Sequence, residues 1–164
     1  MSGQPSPNIA VASLDSGPRL AALMALYEQN YAALCHLLGT RSPYPNGAVA
    51  RPGRLPALYL SVLERDRFTT TYYLTHCFGD PCEPRPAPDL ELRVYHDARQ
   101  CEVLPLPRPA FRRGNPMLDP SERWAINMML GKWLRYCLDQ GYRFGEDGSV
   151  PMTRSQAAGS QGPD

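Results

Sequence analysis

The chain has 164 residues, 43% of them hydrophobic and 20% charged, with a formal net charge of +1. That length builds one domain with a core of its own rather than two very small ones. The near-neutral balance argues against a nucleic-acid binder, which carries a clearly basic face, and no apolar run is long enough to span a membrane. The cysteines (Cys35, Cys77, Cys82, Cys101, Cys137) are odd in number and irregularly spaced, and the first 17 residues lack the charged and apolar regions of a secretory signal. The expectation is a cytoplasmic protein with reduced thiols, Cys35 and Cys137 packing as small hydrophobes.

Residues 1–17 are rich in Ser, Pro, Gly and Gln and are expected to form a disordered tail. A first helix is predicted from Ser16 or Pro18, with Asp15 or Ser16 as cap. Leu20, Leu23, Met24, Tyr27, Tyr31, Leu34 and Leu38 recur at steps of three or four, and Gly39 ends the pattern. Residues 40–56 hold four prolines and two glycines and read as a linker or long surface loop.

Strands are predicted over 57–64 and 68–77, joined by a tight turn at Arg65-Asp66-Arg67. Residues 78–88 read as a Pro/Gly loop. Residues 89–97 alternate, with Leu90, Leu92, Val94 and His96 on one face and Glu91, Arg93, Tyr95 and Asp97 on the other. A two-residue turn at Ala98-Arg99 leads to a fourth strand over 100–106 and pairs Val94 with Val103, Tyr95 with Glu102 and His96 with Cys101. Another irregular stretch, 107–118, precedes Asp119-Pro120-Ser121-Glu122, a cap, a first-turn proline and a capping-box glutamate. The second helix then buries Ile126, Met129, Leu130, Trp133, Leu134, Cys137 and Leu138, and Gly141 stops it. Residues 146–164 are expected to be a second disordered tail, leaving 18–145 as the domain. The predicted fold class is α+β, an antiparallel four-stranded sheet in the order α-β-β-β-β-α, with both helices on one face.

Several stretches carry a resemblance: Glu28-Gln29-Asn30-Tyr31; Arg67-Phe68-Thr69-Thr70; Leu92 to Ala98 with Glu102-Val103; and Ile126-Asn127 leading into Lys132-Trp133-Leu134-Arg135-Tyr136-Cys137-Leu138. In this order, between about residues 20 and 143, they are similar to the YqiB-like family of small uncharacterised proteobacterial proteins. The resemblance implies a cytoplasmic bacterial protein with no established activity.

No phosphate-binding Gly-rich loop, HExxH, GxSxG or Walker motif is present. Tyr95-His96-Asp97 is the densest polar group on a strand, but alternation puts Asp97 on the face opposite His96, so it is badly placed to orient the imidazole. Arg93, Tyr95 and Glu102, joined by Arg67, Thr69, Thr71 and Tyr73, would make a sheet face of Arg, Thr and Tyr suited to an anionic ligand or a polypeptide; ordinary cross-strand pairing accounts for the same residues. Cys77 and Cys82, near His76, lack the second ligand pair of a zinc site, and no metal or other cofactor is expected. Cys82 reads as an exposed loop thiol, and Arg108, Arg112, Arg113 and Arg123 as solvated surface offset by Asp119 and Glu122. Trp124, Asn127, Lys132, Arg135 and Tyr136 give the last helix the aromatic and arginine composition of a docking element.

The candidate binding residues are therefore Arg67, Thr69, Arg93, Tyr95, His96, Asp97, Asn127 and Arg135, with no catalytic residue among them. The function predicted is a non-catalytic cytoplasmic adaptor with a protein partner and no nucleic acid or membrane, its oligomeric state left open. The alternatives are a small enzyme or binding protein for a phosphorylated or acidic metabolite, using Arg67, Arg93, Tyr95 and His96, and a dimerising module.

Overall fold

The computed structural model describes residues 16–40, 42–78, 85–105 and 118–145. The Asp15 cap, both tails beyond these bounds, Cys82, and Arg108, Arg112 and Arg113 lie outside the described residues.

Helix α1 spans Ser16–Leu38 and stops where the periodicity stops. Gly39 takes a φ of 66°, a conformation costly for a side chain with a Cβ, and its N–H donates to the Cys35 carbonyl at 3.1 Å. Its buried stripe includes Leu26, Tyr27, Asn30, Leu34, Leu37 and Leu38, whereas Leu20 is 58% exposed and Cys35 is exposed rather than packed inside. Helix α2 spans Pro120–Asp139. Its start is the predicted capping box: Asp119 accepts from the Ser121 N–H at 2.8 Å, and Glu122 reaches back to the Asp119 N–H at 3.1 Å. Its buried residues are Asn127, Leu130, Gly131, Trp133, Leu134 and Cys137; Met129 points outward.

The sheet has five strands, not four: β1 Gly47–Ala50, β2 Ala57–Arg65, β3 Thr69–Phe78, β4 Arg85–Tyr95 and β5 Gln100–Leu104. They form an antiparallel meander in the order β1-β2-β3-β4-β5. The additional strand, β1, lies inside the segment predicted as a linker. Its four residues carry no alternation of their own, and β2 imposes the strand by pairing Val49 with Tyr59 and Ala48 with Leu60. The backbones approach so closely there that a Cβ on Gly47 would lie 2.2 Å from the Leu60 carbonyl oxygen. β4 also starts earlier than predicted, its first residues pairing with Cys77 and Phe78 beyond a register shift. The β4–β5 turn is four residues long, with Arg99 at φ 54°, so Val94 pairs with Cys101 and Arg93 with Glu102. The predicted register was off by two, and because side chains alternate with period two, every residue kept its predicted face.

Both helices pack on one face of the sheet. Leu58, Leu60, Tyr72, Leu74, Leu90, Leu92, Val94, Cys101 and Val103 form one cluster there with Leu34, Leu37, Leu130, Trp133, Leu134 and Cys137. After α2 the chain returns across this layer, with the Tyr142 hydroxyl donating to the Pro56 carbonyl at 2.6 Å and the Phe144 N–H to that of Leu37 at 2.9 Å.

A buried polar tie joins the helices to the outer strand. The Val103 N–H on β5 donates to Asn127 Oδ1 at 3.0 Å, and Asn127 Nδ2 donates to the Arg123 carbonyl at 2.8 Å. Asn30 Nδ2 donates to the Asn127 carbonyl at 3.1 Å. Gly131 gives Asn30 its room, since a Cβ there would sit 2.8 Å from Asn30 Oδ1. Asn127 thus satisfies an N–H on the outer side of β5, where no further strand stands among the described residues.

Candidate functional site

The sheet sorts the candidate residues onto two faces. Thr69, Arg93 and Tyr95 lie on the face away from the helices, where Thr69 pairs with Tyr95 and Thr71 with Arg93. Their neighbours answer most of their polar groups. Arg93 Nε donates to Thr71 Oγ1 at 3.5 Å, and its guanidinium lies 3.8 Å from Glu64. The Tyr95 hydroxyl donates to Glu102 Oε1 at 2.7 Å, and Arg123 Nη1 lies 3.6 Å from Glu102 Oε2. Burial, then this bond to a carboxylate, pushes the Tyr95 phenol above its ordinary range. Tyr27 on α1 lies beside the same Arg123–Glu102 pair, its phenol raised mainly by burial. The middle of the face is closed: Thr71, Tyr73 and Thr75 on the central strand are buried.

His96 follows the alternation of Leu92 and Val94 onto the side that carries the helices, but stands exposed in the turn at the end of the sheet. Its N–H donates to the Phe68 carbonyl at 2.8 Å, and its Nε2 lies 2.8 Å from Thr70 Oγ1. Asp97 is exposed in the turn, its Oδ1 accepting the Ala98 N–H at 2.9 Å. Arg67 is exposed over the ring of Phe68, 4.8 Å from its centroid. Asn127 is fully buried in the tie to β5, and Arg135 is exposed on α2. The four groups named for a metabolite site, Arg67, Arg93, Tyr95 and His96, therefore divide between the faces and do not converge.

The cysteines and His76 form no common site among the described residues. His76 and Cys77 are adjacent on β3 and point to opposite faces. His76 is 3% exposed; its Nδ1 accepts from Trp133 Nε1–H at 3.1 Å, and the rings of Trp133, Tyr142 and Phe78 stand 5.0–5.7 Å away. Burial lowers the His76 pKa and holds the ring neutral. Burial also raises the thiols of Cys77 and Cys101 and pushes Cys137 up to about 12, keeping all three protonated at neutral pH. Among the described residues no three His, Cys, Asp or Glu side chains gather as a metal site, and no helix is long and apolar enough to cross a membrane.

Two groupings stand out that the strand pattern alone did not isolate. One is the outward arc of α2, where Trp124 (40% exposed), Met129 and Tyr136 (48% exposed) lie with Lys132 and Arg135. The helical period places these residues on one side, and the 37% exposure of Met129 separates them from the core stripe. The other is the set around Thr70 and His96, which includes Arg65. No local signal in the sequence brings Arg65 there, because a bulge in β2 does so.

The chain is 28% identical over 131 residues to the uncharacterized protein YqiB of Escherichia coli K12, a match covering 76% of this chain and 91% of that protein. The YqiB proteins of E. coli strains O6:H1 and O157:H7 match to the same extent. No solved structure matches it. The model of a family described as a protein of unknown function, DUF1249, matches residues 33–143, which take in the C-terminal end of α1, the whole sheet and α2, and the chain belongs to that family.

Proposed function

We propose that this protein is a non-catalytic cytoplasmic adaptor whose docking element is the outward arc of α2. The observation that carries this reading is the contrast between the polar groups of the sheet and those of the helix. Arg93, Tyr95 and Glu102 are engaged with one another's neighbours, whereas Trp124, Met129 and Tyr136 face solvent. Exposed Trp, Tyr and Arg on a rigid element are the side chains that dominate binding hot spots. Lys132 and Arg135 lie among them, with Asp139 as the carboxylate of the last turn. The partner this arc fits is a protein with an apolar pocket rimmed by acidic side chains, since complementary charge steers association.

The test is capture of a stoichiometric partner by the full chain, followed by reconstitution of the complex from purified components. Trp124→Ala and Arg135→Glu should each weaken the purified complex at least about tenfold, and added salt should weaken it for the parent more than for Arg135→Glu. A complex indifferent to both substitutions overturns the assignment to α2. Self-association of the purified chain that these substitutions abolish would show a second copy to be the occupant instead.

A further inference from the structure

The bulge in β2 decides which charge reaches the helix side of the sheet. Val62 pairs with Tyr72, but Glu64 pairs with Thr71 and Arg65 with Thr70. Leu63 is the extra residue. In an unbroken register Glu64 would stand opposite Thr70 and point toward the helices. With the bulge, Arg65 stands there, and Glu64 turns to the far face beside Arg93. Bulges re-aim side chains in this way and are over-represented beside functional sites.

What Arg65 joins is a group of donors at one end of the molecule. One of its N–H groups donates to the Tyr44 carbonyl at 2.6 Å, and a guanidinium has five. Thr70 lies opposite it in the ladder, 2.8 Å from His96 Nε2. One step along the same face is the buried Tyr72, its phenol pushed up chiefly by burial and held down in part by the charge of Arg65. In the four-residue turn that carries His96, Arg99 follows three residues later. Arg99 holds φ 54°, and no other non-glycine among the described residues has a positive φ; such a conformation costs an L-residue energy, and such residues concentrate at functional sites.

The carboxylates of these hairpins are turned elsewhere. Asp66 accepts from Thr69 on the far face, Asp97 accepts from the Ala98 N–H, and Glu64 faces Arg93. The result is the Arg65 guanidinium opposite Thr70, the Thr70 hydroxyl on the His96 imidazole, and Arg99 in the turn that carries His96. This donor set suits an oxygen-rich dianion, since guanidinium forks match phosphate geometry.

We propose that Arg65, Thr70, His96 and Arg99 form a binding site for the phosphate group of a small phosphorylated metabolite. The site uses no residue of the α2 arc, so it stands whether or not that arc docks a partner.

The experiment is an amide-resolved NMR titration of the full chain with inorganic phosphate and with glucose 6-phosphate, against sodium chloride at matched ionic strength. Saturable shifts centred on Thr70, His96 and Arg99, absent with chloride, are expected for both phosphates. Glucose 6-phosphate should bind at least as tightly as inorganic phosphate; binding of inorganic phosphate alone overturns the metabolite assignment. Arg65→Gln should weaken binding at least about tenfold, because a charge-assisted bond is lost. Arg99→Gly separates binding from folding: it relieves the left-handed strain, so the melting temperature should hold or rise while phosphate affinity falls. Shifts that chloride reproduces, shifts centred elsewhere, or unchanged affinity in Arg99→Gly overturns the site.

Discussion

Two histidines on the same face of the same sheet sit at opposite ends of it and have opposite surroundings. His76 is sealed beneath Trp133, Tyr142 and Phe78, a neutral ring in a dry aromatic enclosure. His96 is exposed at a hairpin tip, held by Thr70, which stands opposite Arg65 in the ladder. The helices make the difference. The C-terminal half of α2 and the segment after it close over one end of the sheet, while the tips of the β2–β3 and β4–β5 hairpins leave the other open. A histidine's role here follows from what stands above it, and the strand sequences around the two residues do not show that.

Breaking the closed end should have the largest effect. Trp133→Ala removes the ring over His76 together with the N–H that donates to its Nδ1, and should cost about 3–5 kcal/mol in denaturant unfolding. Asn127→Ala leaves the buried Val103 N–H without its acceptor and should cost about 1–3 kcal/mol. The third prediction concerns pH. Burial lowers the His76 pKa, so the folded chain binds fewer protons than the unfolded one below the ordinary value of 6.5. The stability tied to this ring is complete above that value and falls as pH drops below it, by at most about 1.4 kcal/mol per pH unit. Unfolding curves at neutral and mildly acidic pH should show that slope in the parent and in His96→Ala, and a flatter one in His76→Phe. At the open end the effects shrink: His96→Ala should change stability by less than about 1 kcal/mol, since one partly exposed hydrogen bond is lost. Smallest of all is Arg93→Ala, within about 0.5 kcal/mol, because its partner Glu64 is 61% exposed and water screens the pair. An unfolding cost for His96→Ala comparable to that of Trp133→Ala would erase the distinction between the two ends.

Features set by neighbouring residues were legible in the sequence. The capping box of α2, the glycine stop after α1, the alternation of β4 and the burial of Trp133 all follow from local spacing. Features set by distant partners were not. β1 reads as a loop because Gly-Ala-Val-Ala between prolines has neither alternation nor length, and only β2 makes it a strand. Asn127 reads as polar flank of a docking helix, yet it sits inside because a backbone N–H of β5 needs its oxygen. Arg65 reads as a turn residue until the bulge at Leu63 gives it a face. The two-residue error in the last hairpin came from Arg99, which takes a backbone shape usually left to glycine.

The bond from Val103 to Asn127 also governs how copies of this sheet can add to one another. Strand addition needs an edge with its hydrogen-bonding groups unanswered. β5 has a helix side chain in that place, and among the described residues β1 is the other border of the sheet. Stacking through β1 joins like edge to like edge, which is a two-fold contact that closes on itself. Among the described residues, pairing through β1 joins two copies once, and on the opposite border Asn127 already holds the Val103 N–H that an added strand would need.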